Sequence, residues 1–252
     1  MTTGRCGGKG AARGFARRLF FLGLCLGGAW DAGAQEAAPP AADMPSSHHM
    51  HHHMDGGDGA FHHRFEGAEN WAKEFDAAER DAWQKPQEVL DALKIGKSAI
   101  VADIGAGTGY FAMRIARLAP QGRVYAVDVE PDMTRYLGER ARREGLANVI
   151  PVLAQGDNAA LPEPVDLVLV VDTFHHIGNR VAYFTRLKSS LKDDGRLAIV
   201  DFKADSPNGP PPDFRIPPEQ AIEELMAAGY TLVETGPHLP RQYLLIFRKT
   251  AP

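Results

Sequence analysis

Three glycines spaced two apart, Gly105, Gly107 and Gly109, follow the apolar run Val101-Ala-Asp-Ile, which carries one carboxylate, Asp103. With Ala106 they read as the turn between a strand and a helix. Glycine lets the backbone turn sharply and pass close to a ligand, and the N–H groups of a helix start favour an anionic group. The pattern predicts a nucleotide-like ligand. Asp128 ends the next apolar run, 25 residues on, with Val129 beside it. A carboxylate there can accept hydrogen bonds from ribose hydroxyls and would repel a 2′-phosphate, which disfavours NADP. Asp128 has a competing use as a cap for the helix beginning at Pro131.

Two further groups follow later apolar runs. Gly156-Asp157-Asn158 offers an acceptor after the third run, although an aspartate there also suits an ordinary turn. Asp172, His175 and His176 follow the fourth. They fall at the carboxyl edge of the expected sheet, where open α/β sheets bind ligands. An imidazole can act as a general base near neutral pH, with Asp172 as its orienting partner or as an alternative base. The bland alternative packs one histidine under the sheet edge and leaves the other in solvent. A third cluster, His48, His49, His51, His52 and His53, is interleaved with Met50 and Met54. Imidazole and thioether are copper ligands and imidazole alone suits zinc, yet no fixed tetrahedral spacing is visible. A solvated spacer is the competing reading.

The elements that must position these residues alternate. Strand-like runs at residues 99–103, 124–129, 149–153, 165–171 and 197–202 are separated by helical patterns at 108–118, 131–143 and 179–191. Pro131 suits a first helical turn and Gly145 a stop. Uninterrupted apolar strands alternating with amphipathic helices predict a parallel sheet covered on both faces. After a helix at 218–228, strands at 230–234 and 242–248 have no helix between them and should pair antiparallel at the sheet edge. Upstream, residues 69–93 carry Trp71, Phe75, Ala78 and Ala82 at helical spacing, and Pro86 should split them into two helices. The whole is a Rossmann-like α/β fold of seven mostly parallel strands, with an antiparallel C-terminal strand and helices on both faces.

Residues 1–34 read as an export signal. Five basic residues, ending in Arg17-Arg18, precede the apolar stretch Leu19–Leu26, and Ala32-Gly-Ala34 suits cleavage. Both an ordinary secretory route and a twin-arginine route fit, and both imply a periplasmic destination. The apolar stretch is too short for a span of about 20 residues. No stable membrane insertion is expected after cleavage, an uncleaved anchor being the alternative. Residues 35–63 form a flexible His/Met-rich linker, residues 64–94 a helical cover and residues 95–252 the main domain. Cleavage changes the net charge from −4 to −8, because it removes five basic residues and one acidic residue. A balance that acidic argues against nucleic acid as a partner, and a small-molecule substrate is expected. Nothing in the composition specifies an oligomeric state. Cys6 and Cys25 leave with the signal, so disulfides, cysteine-ligated zinc and thiol nucleophiles are excluded together.

The glycine spacing, with Tyr110 where a dinucleotide fold would place its third glycine, and the closing hairpin resemble the class I S-adenosylmethionine-dependent methyltransferases over residues 69–249. The resemblance implies that S-adenosyl-L-methionine is the cofactor. Asp103 would attract its ammonium, the Gly105–Gly109 turn would accommodate its carboxylate, Asp128 would hold its ribose and Asp157 its adenine amino group. His175, His176 and Asp172 would face the methyl acceptor, and a base is needed only for a nucleophile that carries a proton. The motif after the third strand and the paired histidines are similar to the ubiquinone and menaquinone biosynthesis group. Without cysteines, arsenite methylation is excluded. An exported binding protein on the same scaffold, without turnover, is the rival from another class.

Overall fold

A computed structural model of the chain describes residues 64–65 and 67–250. Seven strands form one sheet: β1 (Ile100–Ile104), β2 (Arg123–Asp128), β3 (Val149–Leu153), β4 (Val165–Val171), β5 (Leu191–Phe202), β6 (Tyr230–Thr235) and β7 (Gln242–Lys249). Their order is β3-β2-β1-β4-β5-β7-β6. The first five strands pair in parallel, whereas β7 inserts antiparallel between β5 and β6. Successive connections therefore step outward from β1 in opposite senses, to β2 on one side and β4 on the other. That reversal opens a crevice at the carboxyl ends of β1 and β4.

Alternation along each strand feeds two cores. Val101, Leu167, Leu169, Val200 and Ile246 face α3 (Pro86–Leu93), α4 (Ala112–Leu118) and α5 (Pro131–Arg143). Ala102, Ile104, Val168, Val170 and Ile199 face α6 (Arg180–Leu187) and α7 (Pro218–Ala227). Both faces are covered, as uninterrupted apolar strands require.

Two segments depart from the periodicity. The N-terminal helical pattern is cut twice, into α1 (Ala68–Phe75), α2 (Arg80–Gln84) and α3. The second cut is the expected one, since Lys85 leaves the right-handed helical region immediately before Pro86. The first was not anticipated: Asp76 ends α1 and turns its carboxylate to Arg140 and Thr108 on the main domain. Beyond α6, Leu191 starts β5 instead of ending a helix. The turn-like Asp193-Asp194-Gly195 is absorbed as an irregularity in the β4–β5 pairing.

Candidate active site

Four of the parallel strands bring a carboxylate to the same edge. Asp103 lies in β1 and is 3% exposed, and Asp128 ends β2 at 8%. Asp172 follows β4, and Asp201, 1% exposed, lies near the end of β5. Between the first two runs the glycine turn. Gly105 has φ +74°, and a Cβ there would stand 2.1 Å from the Thr173 hydroxyl. Gly107 has φ +54°, with the Phe75 ring 3.4 Å from where its Cβ would be, an ordinary contact. Both residues lie in the left-handed region that glycine adopts without strain, and at Gly105 the Thr173 side chain also fills the Cβ position.

The amides of the turn are not available as expected. Gly105 and Ala106 N–H donate to the Val127 carbonyl at 2.8 and 2.9 Å, and Gly109 N–H donates to Ala106 at 2.8 Å. Gly107 N–H donates to Asp128 Oδ2 at 2.8 Å. The turn is thus locked onto the end of β2, a consequence of β1 and β2 being neighbours. Asp128 also accepts the Glu130 N–H at 2.9 Å, so it does serve the start of α5 in part. Burial pushes its carboxyl above the usual range, against the pull of those two amides. Burial acts more strongly on Asp103 and raises it to about 7, with the Ala112 amide and Arg80 opposing. Val129, beside Asp128, is 60% exposed and offers a bare apolar face.

At the far rim, Gln155 and Asn158 exchange backbone hydrogen bonds around Gly156 and Asp157, and the Asn158 carboxamide oxygen accepts the Ala160 N–H. Asp157 is exposed and paired with Arg186 at 2.6 Å.

His175 is buried, in a short 3₁₀ turn at Phe174–His176. Its Nδ1 lies 2.8 Å from Asp201 Oδ1, and its backbone N–H donates to Asp201 Oδ2 at 3.1 Å. The carboxylate that orients His175 is therefore Asp201, in place of the expected Asp172, because β5 lies beside β4 and carries its acid under the turn. The available signal was that Val200-Asp201 repeats the strand-ending aspartate of β1 and β2. Asp172, at φ +53°, instead accepts hydrogen bonds from Gln84 Nε2 at 3.1 Å and from Gln242, with Arg80 at 3.4 Å. His176 joins a ring cluster with Phe65 at 5.6 Å and His175 at 4.3 Å, and Trp71 and Phe75 extend it from α1.

The N-terminal segment that supplies these rings is tied along α5. Arg64 pairs with Glu130 at 2.8 Å, Glu69 with Arg135 at 2.8 Å and Asp76 with Arg140 at 2.8 Å. An aromatic roof is thereby held over a glycine turn flanked by buried acids. Residues 95–228, more than half of the chain, match the family model of the methyltransferase domain. The chain belongs to the methyltransferase family. The methyltransferase domain is similar to malonyl-[acyl-carrier protein] O-methyltransferase of Acetivibrio thermocellus, 31% identical over 133 residues, 52% of this chain and 46% of the relative. It is 29% identical over 99 residues to (S)-coclaurine N-methyltransferase of Thalictrum flavum subsp. glaucum, 39% of this chain and 27% of the relative. The chain spans less than half the length of both relatives. A SAM dependent methyltransferase from Aquifex aeolicus superposes with TM-score 0.67 at 25% identity, covering 73% of this chain and 98% of that one.

The expected export signal at residues 1–34 and the tract of His48, His49, His51, His52 and His53 lie outside the described residues of the chain. Among the described residues, no helix is long and apolar enough to cross a membrane, and no group of three acidic, histidine or cysteine side chains could hold a metal ion.

Proposed function

We propose that the protein is an S-adenosylmethionine-dependent methyltransferase acting on a small-molecule acceptor. The observation that carries this is the glycine-rich turn at Gly105–Gly109 set between buried Asp103 and buried Asp128. The residues fit the cofactor. A buried carboxylate held up to about 7 gains most from a cation, and Asp103 would take the ammonium. Asp128 spends one hydrogen bond on each of its oxygens and keeps lone pairs for ribose hydroxyls. Val129 offers an apolar surface to adenine, and Gly156, Asp157 and Asn158 line the rim where the base ends. Asp157 would exchange Arg186 for an amino group. When bound, S-adenosylmethionine supplies an electrophilic methyl group on a sulfonium, open to in-line displacement.

The chain's own work is positioning and proton handling. With Nδ1 set against the Asp201 carboxylate, His175 would use Nε2 to take a proton from a hydroxyl acceptor. Phe65, Trp71, Phe75 and His176 make the cover aromatic, and a roof of that kind excludes water and favours an apolar or ring-bearing acceptor. The names of the two relatives cover both O- and N-methyl transfer. Asp172 anchors the cover through Gln84 and Arg80 and is braced by Gln242 of β7.

Calorimetric titration with S-adenosylmethionine and its demethylated product tests the reading. Heat with both is expected, and no heat up to millimolar ligand, with NAD binding instead, would overturn it. We further propose periplasmic export by residues 1–34 and copper or zinc binding by the histidine tract. Cell fractionation checks the first. Deletion of residues 48–63 that abolishes metal binding while methyl transfer persists would establish the tract as a separate module.

A further inference from the structure

The amino-acid end of S-adenosylmethionine carries a carboxylate beside its ammonium, and the glycine turn has little to offer it. Four of its five amides, those of Gly105, Ala106, Gly107 and Gly109, are engaged internally. Asp103 and Asp172 at the same edge repel an anion. One cation from outside the main domain does reach this edge, Arg80 in α2, whose side chain is 14% exposed. Its Nη2 lies 3.4 Å from Asp172 Oδ2, and its charge acts on Asp103. Nη1 donates to the Phe75 carbonyl at 2.6 Å and Nε donates to Gln84. Its guanidinium also lies over the Tyr110 ring, 4.0 Å from the centroid, where Tyr110 directly follows the glycine turn.

A guanidinium has five N–H donors in a rigid fork. Three are used, and two have no acceptor among the described residues. Stacking on Tyr110 and the bond to Phe75 hold the plane, so little further order is lost when an anion binds. We propose that Arg80 binds the carboxylate of the cofactor, which makes α2 of the N-terminal segment a part of the cofactor site. Asp103 and Arg80 then read the two ends of the amino-acid group separately, ammonium against carboxylate. The inference rests on the S-adenosylmethionine reading above.

Two ligands that differ only in the carboxylate, S-adenosylmethionine and its decarboxylated form, separate the two claims. The full chain should bind the first roughly 10- to 100-fold more tightly, the scale of a charge-assisted hydrogen-bonded pair. Arg80→Met should lose that preference, the ratio of the two affinities falling to about one, and saturable binding of the decarboxylated ligand shows the variant to be folded. Arg80→Lys keeps the charge without the fork and should keep part of the preference. A preference unchanged in either variant overturns the role of Arg80. A wild-type chain that binds neither ligand overturns the cofactor reading and this inference with it. A wild type that binds both equally overturns the inference alone.

Discussion

Asp103 gives the sharpest test, because its cost to the empty protein and its use to the loaded one have opposite signs. Burial at 3% exposure raises its carboxyl from 3.8 to about 7, with the Ala112 amide and Arg80 opposing and Asp128 adding to the rise. The folded protein therefore holds this proton more tightly than the unfolded chain does. The contribution to stability is fully present below about pH 4 and is lost as pH rises to about 7. At about 1.4 kcal/mol per unit, the loss is bounded at about 4 kcal/mol. Asparagine has the same shape, cannot ionise, and keeps an oxygen to accept the Ala112 amide. Without ligand, Asp103→Asn should be more stable than the wild type at about pH 8, by about 2–4 kcal/mol. The difference should shrink towards zero near pH 4. Urea denaturation of both proteins at several pH values measures it. A stability difference that does not change with pH, or a wild type that is the more stable at pH 8, refutes the account. The same variant should bind S-adenosylhomocysteine more weakly, a stability gain taken at the expense of the site.

Asp128→Ala should weaken binding of that ligand by about 1.5–3 kcal/mol in calorimetry, the scale of lost hydrogen bonds to a charged group; unchanged affinity would leave Asp128 with only its role at the start of α5. Asp201 accepts the His175 N–H, the His175 ring and the Phe202 N–H, and asparagine has one acceptor oxygen for the three. Asp201→Asn should therefore cost about 1–3 kcal/mol in denaturant unfolding, and an unmoved midpoint would show that the buried trio contributes little. Arg140 joins Asp76, Glu144 and the Thr108 carbonyl. Arg140→Met should cost about 1–2 kcal/mol and speed proteolysis between residues 64 and 85, since this partly buried contact ties α1 to α5; cleavage at the wild-type rate would place the anchoring of the cover elsewhere.

Much of this site could be read before any fold was known, and the parts that could not share one character. The strands β1 to β4 and the glycine turn were legible because apolar runs and positive-φ positions are properties of a few consecutive residues. The extra break at Asp76 was not, because the pull on Asp76 comes from Arg140, 64 residues away. The early start of β5 was not, because pairing with β4 overrides the turn chemistry of Asp193-Asp194-Gly195.

By itself the sequence determined the strand–turn–helix at Asp103–Gly109, the acids that end the parallel strands, and the doubly covered sheet, since glycine freedom and hydrophobic period act locally. Only the tertiary structure decided which partners those residues meet. Strand order put Asp201, and not Asp172, against His175, and the neighbouring β2 consumed three amides of the glycine turn. Packing of the N-terminal segment brought Arg80 to Asp172 across 92 residues of chain. Hydrogen bonds and charges are satisfied between whichever groups the sheet order makes neighbours, and that order is a property of the whole core.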